Sequence, residues 1–450
     1  MLVRMRTPLP IRLQQLNKMT SCRTRKTCTA RLSGLLFSLT LVFFLQAPAV
    51  MADEIQDRFD AAMAAMEANE VYEARRQLTA LLDDYPSLNR ARVELARADY
   101  YVRDYDAAEA EVLKVLEDPD TPANVRPTLL AFLAQIRDDR QTFEKKHQWG
   151  GYGYTGVMYD SNVNYGTSDV IVGGIPFSIE GEKSDWAAVF DAGLLHTYNP
   201  NKSFKSGDKT GYFFWQSQAT GYYRAYTDEN DFNLGVATLR TGPVWAVADA
   251  WRFSLAVQGD QIWFGSDRLA FFTSLNPTFS VMLTPRTELT LDGILQDRNY
   301  NDTEDEGRDG TLIGGTVVLS QFYLERRLGA QAGVGYSDFD ADEDAFGYKL
   351  PEAFVGATYD AWTRGTLYSR LGYRWFEYDA NFDALAALLG TNSRDDDELR
   401  FLAGFRHEIG SGFLKKFVIR GEYVYTDNDS DVDVFDYDRS QVSLGLSRGF

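Results

Sequence analysis

The sequence predicts an α+β multidomain chain, in which a short all-α solenoid of tetratricopeptide type precedes an antiparallel transmembrane β-barrel of about fourteen strands. From residue 55 to about residue 140 the apolar side chains recur with a period of 3.6, which is typical of amphipathic helices. From residue 147 to residue 450 they recur with a period of two, in segments of about ten residues separated by turns. The chain is also rich in aromatic residues, with 25 Tyr and 29 Phe. Alternating segments and many aromatic residues are together typical of outer-membrane barrels.

The composition excludes several classes of protein. The formal net charge is −19 and the sequence pI is about 4.7, whereas a nucleic-acid-binding protein needs a basic face to neutralise phosphates. Cys22 and Cys28 are the two cysteines, and both precede the apolar segment described next. The mature chain is therefore predicted to have no disulfide, no zinc site and no cofactor.

The first 52 residues are predicted to be a secretory signal. Residues 1–31 carry basic side chains and no acidic one, residues 32–45 are apolar, and small residues follow up to Ala52. This order is typical of a signal peptide, which we expect to be cleaved after Ala52, with Met19 as an alternative start. The alternative is an uncleaved anchor, but a membrane span needs roughly 20 apolar residues and Pro48 interrupts this segment.

Residues 53–146 are predicted to form a periplasmic helical domain of tetratricopeptide type. Residues of one helical pair recur 33 or 34 positions later: Tyr72 as Tyr105, Ala74 as Ala108, Leu78 as Val112, Leu82 as Leu116 and Pro86 as Pro119. This is the period of a tetratricopeptide helix pair, which buries its apolar stripe only by stacking on a neighbour. We expect two such units and an additional helix over residues 125–140. The alternative is an ordinary helical bundle.

Residues 147–450 are predicted to form the barrel. The centres of the fourteen alternating segments are Tyr154, Val189, Gln216, Thr238, Leu255, Ser274, Leu291, Thr316, Ala332, Phe354, Tyr368, Ala403, Gly421 and Leu444. An even number of strands places both ends of the barrel on the side of the helical domain. On that side we expect short turns, as at residues 284–286 and 410–412. On the other side we expect longer acidic loops, at residues 302–309, 338–344, 395–398 and 427–438.

The end of the chain predicts insertion into an outer membrane. Gly445 lies five positions before the terminal Phe450, and small or polar residues alternate with apolar ones between them. This pattern is similar to the signal that barrel-assembly machinery reads. Arg448 stands where that pattern prefers an apolar residue.

Motifs for catalysis or nucleotide binding have weak support. Residues 151–156, GYGYTG, match the letters of a dinucleotide fingerprint, but a helix precedes them and a strand continues through them, so we interpret them as part of a barrel strand. His147, His196 and His407 are predicted to lie far apart, on different strands, without the spacing of metal ligands. We predict that the protein is not an enzyme.

One acidic segment resembles the start of a calcium loop. Asp427, Asp429 and Asp431 are followed by Asp438 at the twelfth position, but Val432 replaces the glycine of the sixth position. We therefore interpret the segment as an acidic surface loop and predict no metal site.

Charged residues at inward positions of the last strands are predicted to line the lumen. By alternation these are Arg370, Arg374, Arg400, Arg406, Glu408, Arg420 and Glu422. Charges are tolerated there because the lumen is wet or because they pair across strands. Two interpretations remain open: an ion-pair network that stiffens the wall, and the lining of a polar conduit or gate.

The order of the parts resembles one known family. The helices NRARVELARADYYVRDYDAAEAEVLKVL, the element Asp160-Ser161-Asn162-Val163-Asn164 and the following barrel are similar to the surface lipoprotein assembly modifier family, also called the outer-membrane component of the type eleven secretion system. The resemblance covers the predicted mature chain. It implies an outer-membrane translocon that moves lipid-anchored or soluble client proteins from the periplasm to the cell surface.

The resemblance also implies partners and a client-binding face. Expected partners are the client protein, the barrel-assembly machinery, and outer-membrane lipids with lipopolysaccharide, and the chain is expected to be a monomer. By helical position, the candidate client-binding residues are Tyr72, Arg75, Tyr101 and Arg103. The alternatives are a polysaccharide-export or solute porin and a surface receptor or adhesin.

Overall fold

The computed structural model describes residues 47–167, 170–172, 175–177, 181–380 and 394–450. The predicted apolar segment at 32–45 and the start at Met19 lie outside these residues. Residues Glu54–Phe450 form one compact unit. Within the described ranges, no helix combines the length and the hydropathy that a membrane span requires.

Five helices precede the barrel in the described part of the chain. They are α1 (Ala47–Glu67), α2 (Val71–Asp84), α3 (Asn89–Tyr101), α4 (Tyr105–Glu117) and α5 (Arg126–Phe143). Asn69 and Arg103 both have left-handed backbones, with φ of 63° and 64°, at the turns before α2 and α4. The same turn thus recurs after one predicted repeat, and α5 occupies the position predicted for the additional helix.

The helices pack through the apolar stripes that the period of 3.6 predicts. Leu78 and Leu81 of α2 are fully buried against α1 and α3, while Val112 of α4 and Ile136 of α5 are fully buried in a second cluster. Asp104 caps the start of α4, because its carboxylate accepts a hydrogen bond from the Ala107 amide at 3.4 Å. The stacking of each helical pair on the next is what the repeat requires.

In the described residues, fourteen antiparallel strands close into one barrel, and β1 pairs with the last strand. A separate two-stranded sheet consists of β2 (Val170–Val172) and β3 (Ile175–Phe177). The barrel strands are β1 (His147–Asp160), β4 (Asp185–Ser206), β5 (Lys209–Tyr226), β6 (Leu234–Val247), β7 (Trp251–Phe264), β8 (Asp267–Thr284), β9 (Thr287–Tyr300), β10 (Gly310–Tyr323), β11 (Leu328–Ala341), β12 (Tyr348–Trp362), β13 (Gly365–Tyr378), β14 (Asp395–Glu408), β15 (Val418–Ser430) and β16 (Tyr437–Gly449). Each predicted strand centre lies inside one of them, so the predicted fold class is confirmed.

The alternation in the sequence separates an apolar outer face from a polar interior. The outward side chains of Leu239, Ile313 and Val334 are 62%, 60% and 60% exposed. The side chains of the strand neighbours Arg240 and Leu312 point inward. A closed barrel with a wide apolar outer band is the architecture of outer-membrane barrels, in which the band faces lipid.

We call the end at which β1 begins and β16 ends the near rim, and the opposite end the far rim. The helices lie at the near rim, as the even strand number predicts. The near-rim turn at residues 285–286 is short as expected, and the far-rim links at 301–309 and 342–347 are longer.

Several predicted connections are wrong in detail. Residues 338–341, 395–398 and 427–430 belong to β11, β14 and β15 rather than to loops, because backbone pairing continues beyond the apolar band. There the outward acidic side chains, such as Asp397 and Asp429, are exposed to water. The near-rim link around Gly410 runs from residue 409 to residue 417 and is longer than predicted. The far-rim link between β7 and β8 contains only residues 265 and 266.

Candidate functional site

The seven predicted lumen residues all lie at inward positions of β13, β14 and β15. Arg374 pairs with Glu398 at 3.0 Å, and Arg420 pairs with Glu422 at 2.8 Å. The Tyr368 hydroxyl donates to Glu422 at 2.9 Å. This wall therefore carries a polar network, in which Arg420–Glu422 lies within β15 and the other two contacts join different strands.

The remaining predicted lumen residues rest on aromatic rings or near the rim. The Arg370 guanidinium lies 3.6 Å from the centre of the Phe354 ring, and that of Arg406 lies 5.5 Å from the Tyr368 ring. Arg400 is inward on β14, opposite Gly372 of β13 and Thr426 of β15, and Glu408 ends the same strand at the near rim. A guanidinium held over a ring face keeps its charge while its flat surface is packed.

The helical domain is joined to the barrel wall on both sides of the β4–β7 strands. On the outer side, Tyr72 packs with Val247 and Ala250, and its hydroxyl donates to the Ala248 carbonyl at 2.8 Å. On the lumen side, the Phe143 ring packs edge-on against Tyr212, with centroids 4.8 Å apart. The helices therefore straddle the wall at the near rim.

Polar contacts reinforce this junction. The Tyr212 hydroxyl donates to the Arg103 carbonyl at 2.8 Å, and the Asn199 amide donates to the Phe143 carbonyl at 2.6 Å. Lys209 lies 4.3 Å from the centre of the Tyr72 ring. Asn199, Lys209 and Tyr212 belong to the β4–β5 hairpin, which extends beyond the start of β1.

The structure places three of the four candidate client-binding residues in internal contacts. Tyr72 is 9% exposed, and burial raises the pKa of its hydroxyl. Arg75 pairs with Asp99 and Asp104 of the neighbouring helical pair, and the Arg103 side chain lies over Phe143. Tyr101 is 38% exposed. A client contact is thus sterically simplest at Tyr101, and the client-binding role of all four stays a prediction.

Asp99 is an ionisable group buried between helical pairs. Arg75 Nε lies 2.5 Å from Asp99 Oδ1 without hydrogen-bond geometry, so that oxygen accepts no hydrogen bond within the described residues. Burial raises the pKa of the Asp99 carboxyl to about 6, against the opposing effect of the Arg75 charge.

Asp160, the first residue of the DSNVN element, lies at the centre of a buried polar cluster at the far rim. Arg439 Nε and Nη2 donate to its two carboxylate oxygens at 2.8 and 2.5 Å. The Tyr226 hydroxyl donates at 2.5 Å and the Gln441 amide at 2.8 Å. Asp160 is 0% exposed and Arg439 is 4% exposed. One carboxylate thus connects β1, β5 and β16.

The rest of the element fastens the segment after β1. The Ser161 hydroxyl accepts from the Ser440 amide at 2.8 Å. The buried Asn162 side chain donates to the Asp438 and Gly166 carbonyls at 3.0 and 2.8 Å. Val163 is 1% exposed and packs on side chains that face the lumen. The Asn164 side chain accepts from the Lys183 amide at 2.9 Å.

Inward aromatic and arginine side chains form a ring at the far rim, which we call the far collar. Its members are Tyr226, Phe272, Arg298, Phe339, Tyr348, Phe376, Tyr378, Arg394, Phe435, Tyr437 and Arg439. The Arg298 guanidinium lies 4.2 Å from the centre of the Phe339 ring, and that of Arg394 lies 3.4 Å from the Phe435 ring.

Several side chains of the far collar are packed, whereas part of the charged wall nearer the helices is exposed. Phe272, Phe339 and Tyr437 are 4%, 3% and 8% exposed. By contrast the side chain of Arg420, near the other end of the lumen, is 42% exposed. The inward side chains at the far end are therefore packed against one another.

Sequence reasoning missed most of this arrangement. Asp160 was noticed only as part of a motif, and its partner Arg439 lies 279 positions later in the chain. The available signal was the alternation itself, because Arg439 occupies an inward position of an otherwise small and polar strand face.

Other sequence interpretations are corrected or placed by the structure. His147 and His196 are not far apart: their rings stack on the outer face of β1 and β4, and Nδ1 of the first lies 3.0 Å from Nε2 of the second. Asp427 and Asp429 are strand residues opposite Asp438 and Asp397 rather than parts of a loop. Residues 151–156 lie in β1, as interpreted.

Gly445 and Phe450 lie at the closing pair of strands. The Tyr154 ring covers Gly445, and Phe450 exchanges two backbone hydrogen bonds with Gly151, at 3.0 and 3.2 Å. The Phe450 side chain is 81% exposed. Its role as an insertion signal stays a prediction.

No protein-family model matches the sequence, and no curated protein matches it. Among solved structures, the chain is similar to OpdQ of Pseudomonas aeruginosa, with 11% identity, a TM-score of 0.33 and coverage of 69% of this chain and 99% of that chain. It is also similar to a loop L8 deletion mutant of OmpT, an outer membrane protein of Vibrio cholerae, with 10% identity, a TM-score of 0.38 and coverage of 68% and 100%. For the outer membrane protein OpdK of P. aeruginosa the values are 9%, 0.34, 67% and 98%. The likeness is one of fold.

Proposed function

We propose that this protein is an outer-membrane translocon that moves specific client proteins, lipid-anchored or soluble, from the periplasm to the cell surface. The near rim with its helices then faces the periplasm, and the far rim faces the exterior. The observation that carries the proposal is the packed far collar above a solvated, charged lumen. A barrel for free solute exchange needs an open path, whereas a translocon is expected to stay closed until a client enters.

The helical domain supports the same function by its position. It is anchored beside the barrel mouth through Tyr72 and Phe143, so a client held on its exposed surface would already lie next to the lumen. A fourteen-stranded barrel encloses a lumen of intermediate size, between small filled barrels and open porins. A client would therefore pass as an unfolded chain, and the charged wall would keep that chain hydrated.

Deletion of residues 53–140 tests the role of the helices. We expect loss of client display at the surface, with the barrel still inserted and heat-modifiable on gels. Protease accessibility of a tagged client on intact cells measures display, and the client encoded by a neighbouring gene is the first to use. Tyr101→Ala serves as a milder variant that leaves the junction intact. Unchanged display after the deletion would refute the proposed role of the helices.

A solute or polysaccharide porin is the second candidate, and the polar interior favours it. Arg240 and Arg252 face the lumen on β6 and β7, at positions suited to anionic solutes. Conductance in planar bilayers separates the two functions. A translocon is expected to be closed or to flicker, and a steady, large conductance of the unmodified protein would favour the porin.

A further inference from the structure

We propose that Asp160 is the latch of a gate at the far rim: its carboxylate holds residues 161–166 inside the lumen, and its release opens the barrel. This inference goes beyond the proposed function, because it requires no client and holds for any transported molecule.

Residues 161–166 lie on the lumen side of the barrel wall. Val163 packs against Met158, Ala187 and Val189, whose side chains all face the lumen. The Tyr165 ring lies 4.3 Å from the Arg439 guanidinium and packs edge-on against Tyr437. Residues 161–166 thus turn back across the inner side of β1, β4 and β16 and fill space that an open channel would need.

Arg439 of the barrel wall contacts both the latch residue Asp160 and the segment residue Tyr165. Arg439 binds Asp160 with two nitrogens on one side and lies over Tyr165 on the other. Asp160 Oδ1 also accepts from the Asn162 amide, at 3.3 Å. Neutralising Asp160 therefore weakens the anchor of Arg439 and, through it, the seat of Tyr165.

The latch lies at the far end of the seam between β1 and β16. The register of β1 with β16 is paired from Tyr152 to Asp160, and backbone hydrogen bonds continue at Gly151 and at Ser161, so the latch lies at the far end of the ladder that closes the barrel. Charge-assisted hydrogen bonds of a buried pair are stronger than neutral ones. The buried Asp160–Arg439 pair is therefore both a strong contact of this seam and the point at which residues 161–166 are attached.

The test is single-channel recording of the purified, full mature protein in planar bilayers, with potassium chloride and no client. Asp160→Asn should raise the ratio of open to closed time by about 10- to 100-fold, the effect of losing one charge-assisted hydrogen bond. Glu398→Gln is the matched control, because Glu398 is also inward and buried, and its hydrogen bond and ion pair go to Arg374 rather than to residues 161–166. It should stay as closed as the unmodified protein.

A second variant keeps the proposal testable if Asp160→Asn does not insert. Val163→Asp places a charge in the apolar seat of the segment and leaves every barrel strand unchanged, so it should open the channel as well. A heat-modifiable Asp160→Asn or Val163→Asp protein that stays closed would overturn the latch, as would equal opening by Glu398→Gln. Because only ions carry the current, failure here leaves client export untouched, and failure of export leaves the latch untouched.

A reversible cross-link adds a readout that a folding defect cannot mimic. The Ser161 amide donates to the Ser440 carbonyl at 3.0 Å, so these two residues face each other across the seam. In the Asp160→Asn background, Ser161→Cys with Ser440→Cys should close the channel on oxidation and reopen it on reduction. Open channels that do not respond to oxidation, despite a disulfide seen by mass spectrometry, would contradict the latch.

Discussion

At the scale of single residues, aromatic rings and glycines together seal the barrel wall. The Tyr154 ring lies over Gly156 of its own strand and Gly445 of β16, and the Tyr368 ring lies over Gly404. A glycine leaves the backbone uncovered, and the flat ring takes up the space that a side chain would fill. The seam between the first and last strands thus depends on glycine at two positions.

Gly156→Ala should therefore weaken the barrel. A Cβ atom at Gly156 would lie 2.5 Å from Tyr154 Oη and 2.8 Å from the Leu444 carbonyl oxygen, so the ring and the ladder must both shift. We expect a loss of about 1–3 kcal/mol, seen as a lower temperature of the heat-induced gel shift. Gly153→Ala is the control on the same strand, since nothing lies within 4 Å of its added Cβ. Equal stability of the two variants would contradict this account.

A second residue-scale prediction concerns Asp99 and pH. Its folded pKa of about 6 lies above the ordinary value of 3.8. The folded helices therefore favour the protonated form, and this group's contribution is fully present below pH 4 and is lost as pH rises through about 6. The change is about 3 kcal/mol for the local stability of α2 and α3.

Asp99→Asn should flatten this dependence. Hydrogen exchange of α3 at pH 5 and pH 7.5, corrected for intrinsic rates, measures it in the full chain. Asp106→Asn, which changes a side chain 85% exposed in α4, is the control and should keep the slope of the unmodified protein. The same slope in Asp99→Asn would show that another group causes the dependence.

At the scale of elements, the helices and the β4–β5 hairpin form one mechanical piece. The junction combines an apolar contact at Tyr72 with an aromatic one at Phe143, on opposite sides of the wall. The exposed pair of Arg76 with Asp208 adds little, because surface ion pairs contribute about 0–1 kcal/mol. Packing rather than charge therefore fixes the helices.

Tyr72→Ala should release the helical domain without unfolding it. Truncation of this buried ring costs about 3 kcal/mol at the junction, whereas Tyr101→Ala removes a ring outside it. Limited trypsin digestion reads the difference, since Lys145 and Lys146 link α5 to β1. We expect faster cleavage there in Tyr72→Ala only. If Tyr101→Ala accelerates cleavage equally, the junction is not where the helices are held.

At the scale of the whole molecule, the sequence was sufficient for the strands because a period of two persists through each of them. It was insufficient wherever the outcome depends on register. His147 and His196 meet because β1 and β4 pair at one offset among several, and Asp160 meets Arg439 only once the barrel closes. The ends of β14 and β15 were misplaced because acidic residues suggested loops, although pairing does not require an apolar side chain outside lipid.

The candidate site shows a related limit. An amphipathic helix reveals that one face is covered but not by what, so the sequence does not show that the barrel covers Tyr72. The client-binding role of this residue stays a prediction. The seven predicted lumen residues lie at inward positions because alternation alone determines which side chains of a strand face inward. The ion pairs of Arg374 with Glu352 and Glu398 could not be predicted in the same way, because they depend on the register of the neighbouring strands.

The projecting β4–β5 hairpin has a consequence for reach. Residues 199–206 extend past the start of β1, and at a rise of about 3.3 Å per residue and a tilt near 40° they carry the hairpin tip roughly 20 Å below the mouth. A polypeptide touching both the tip and the mouth must bridge that stand-off, which takes about six extended residues or about thirteen helical ones. A shorter polypeptide segment could not contact both the tip and the mouth. The length of the hairpin therefore sets the minimum length of a segment that binds at both places.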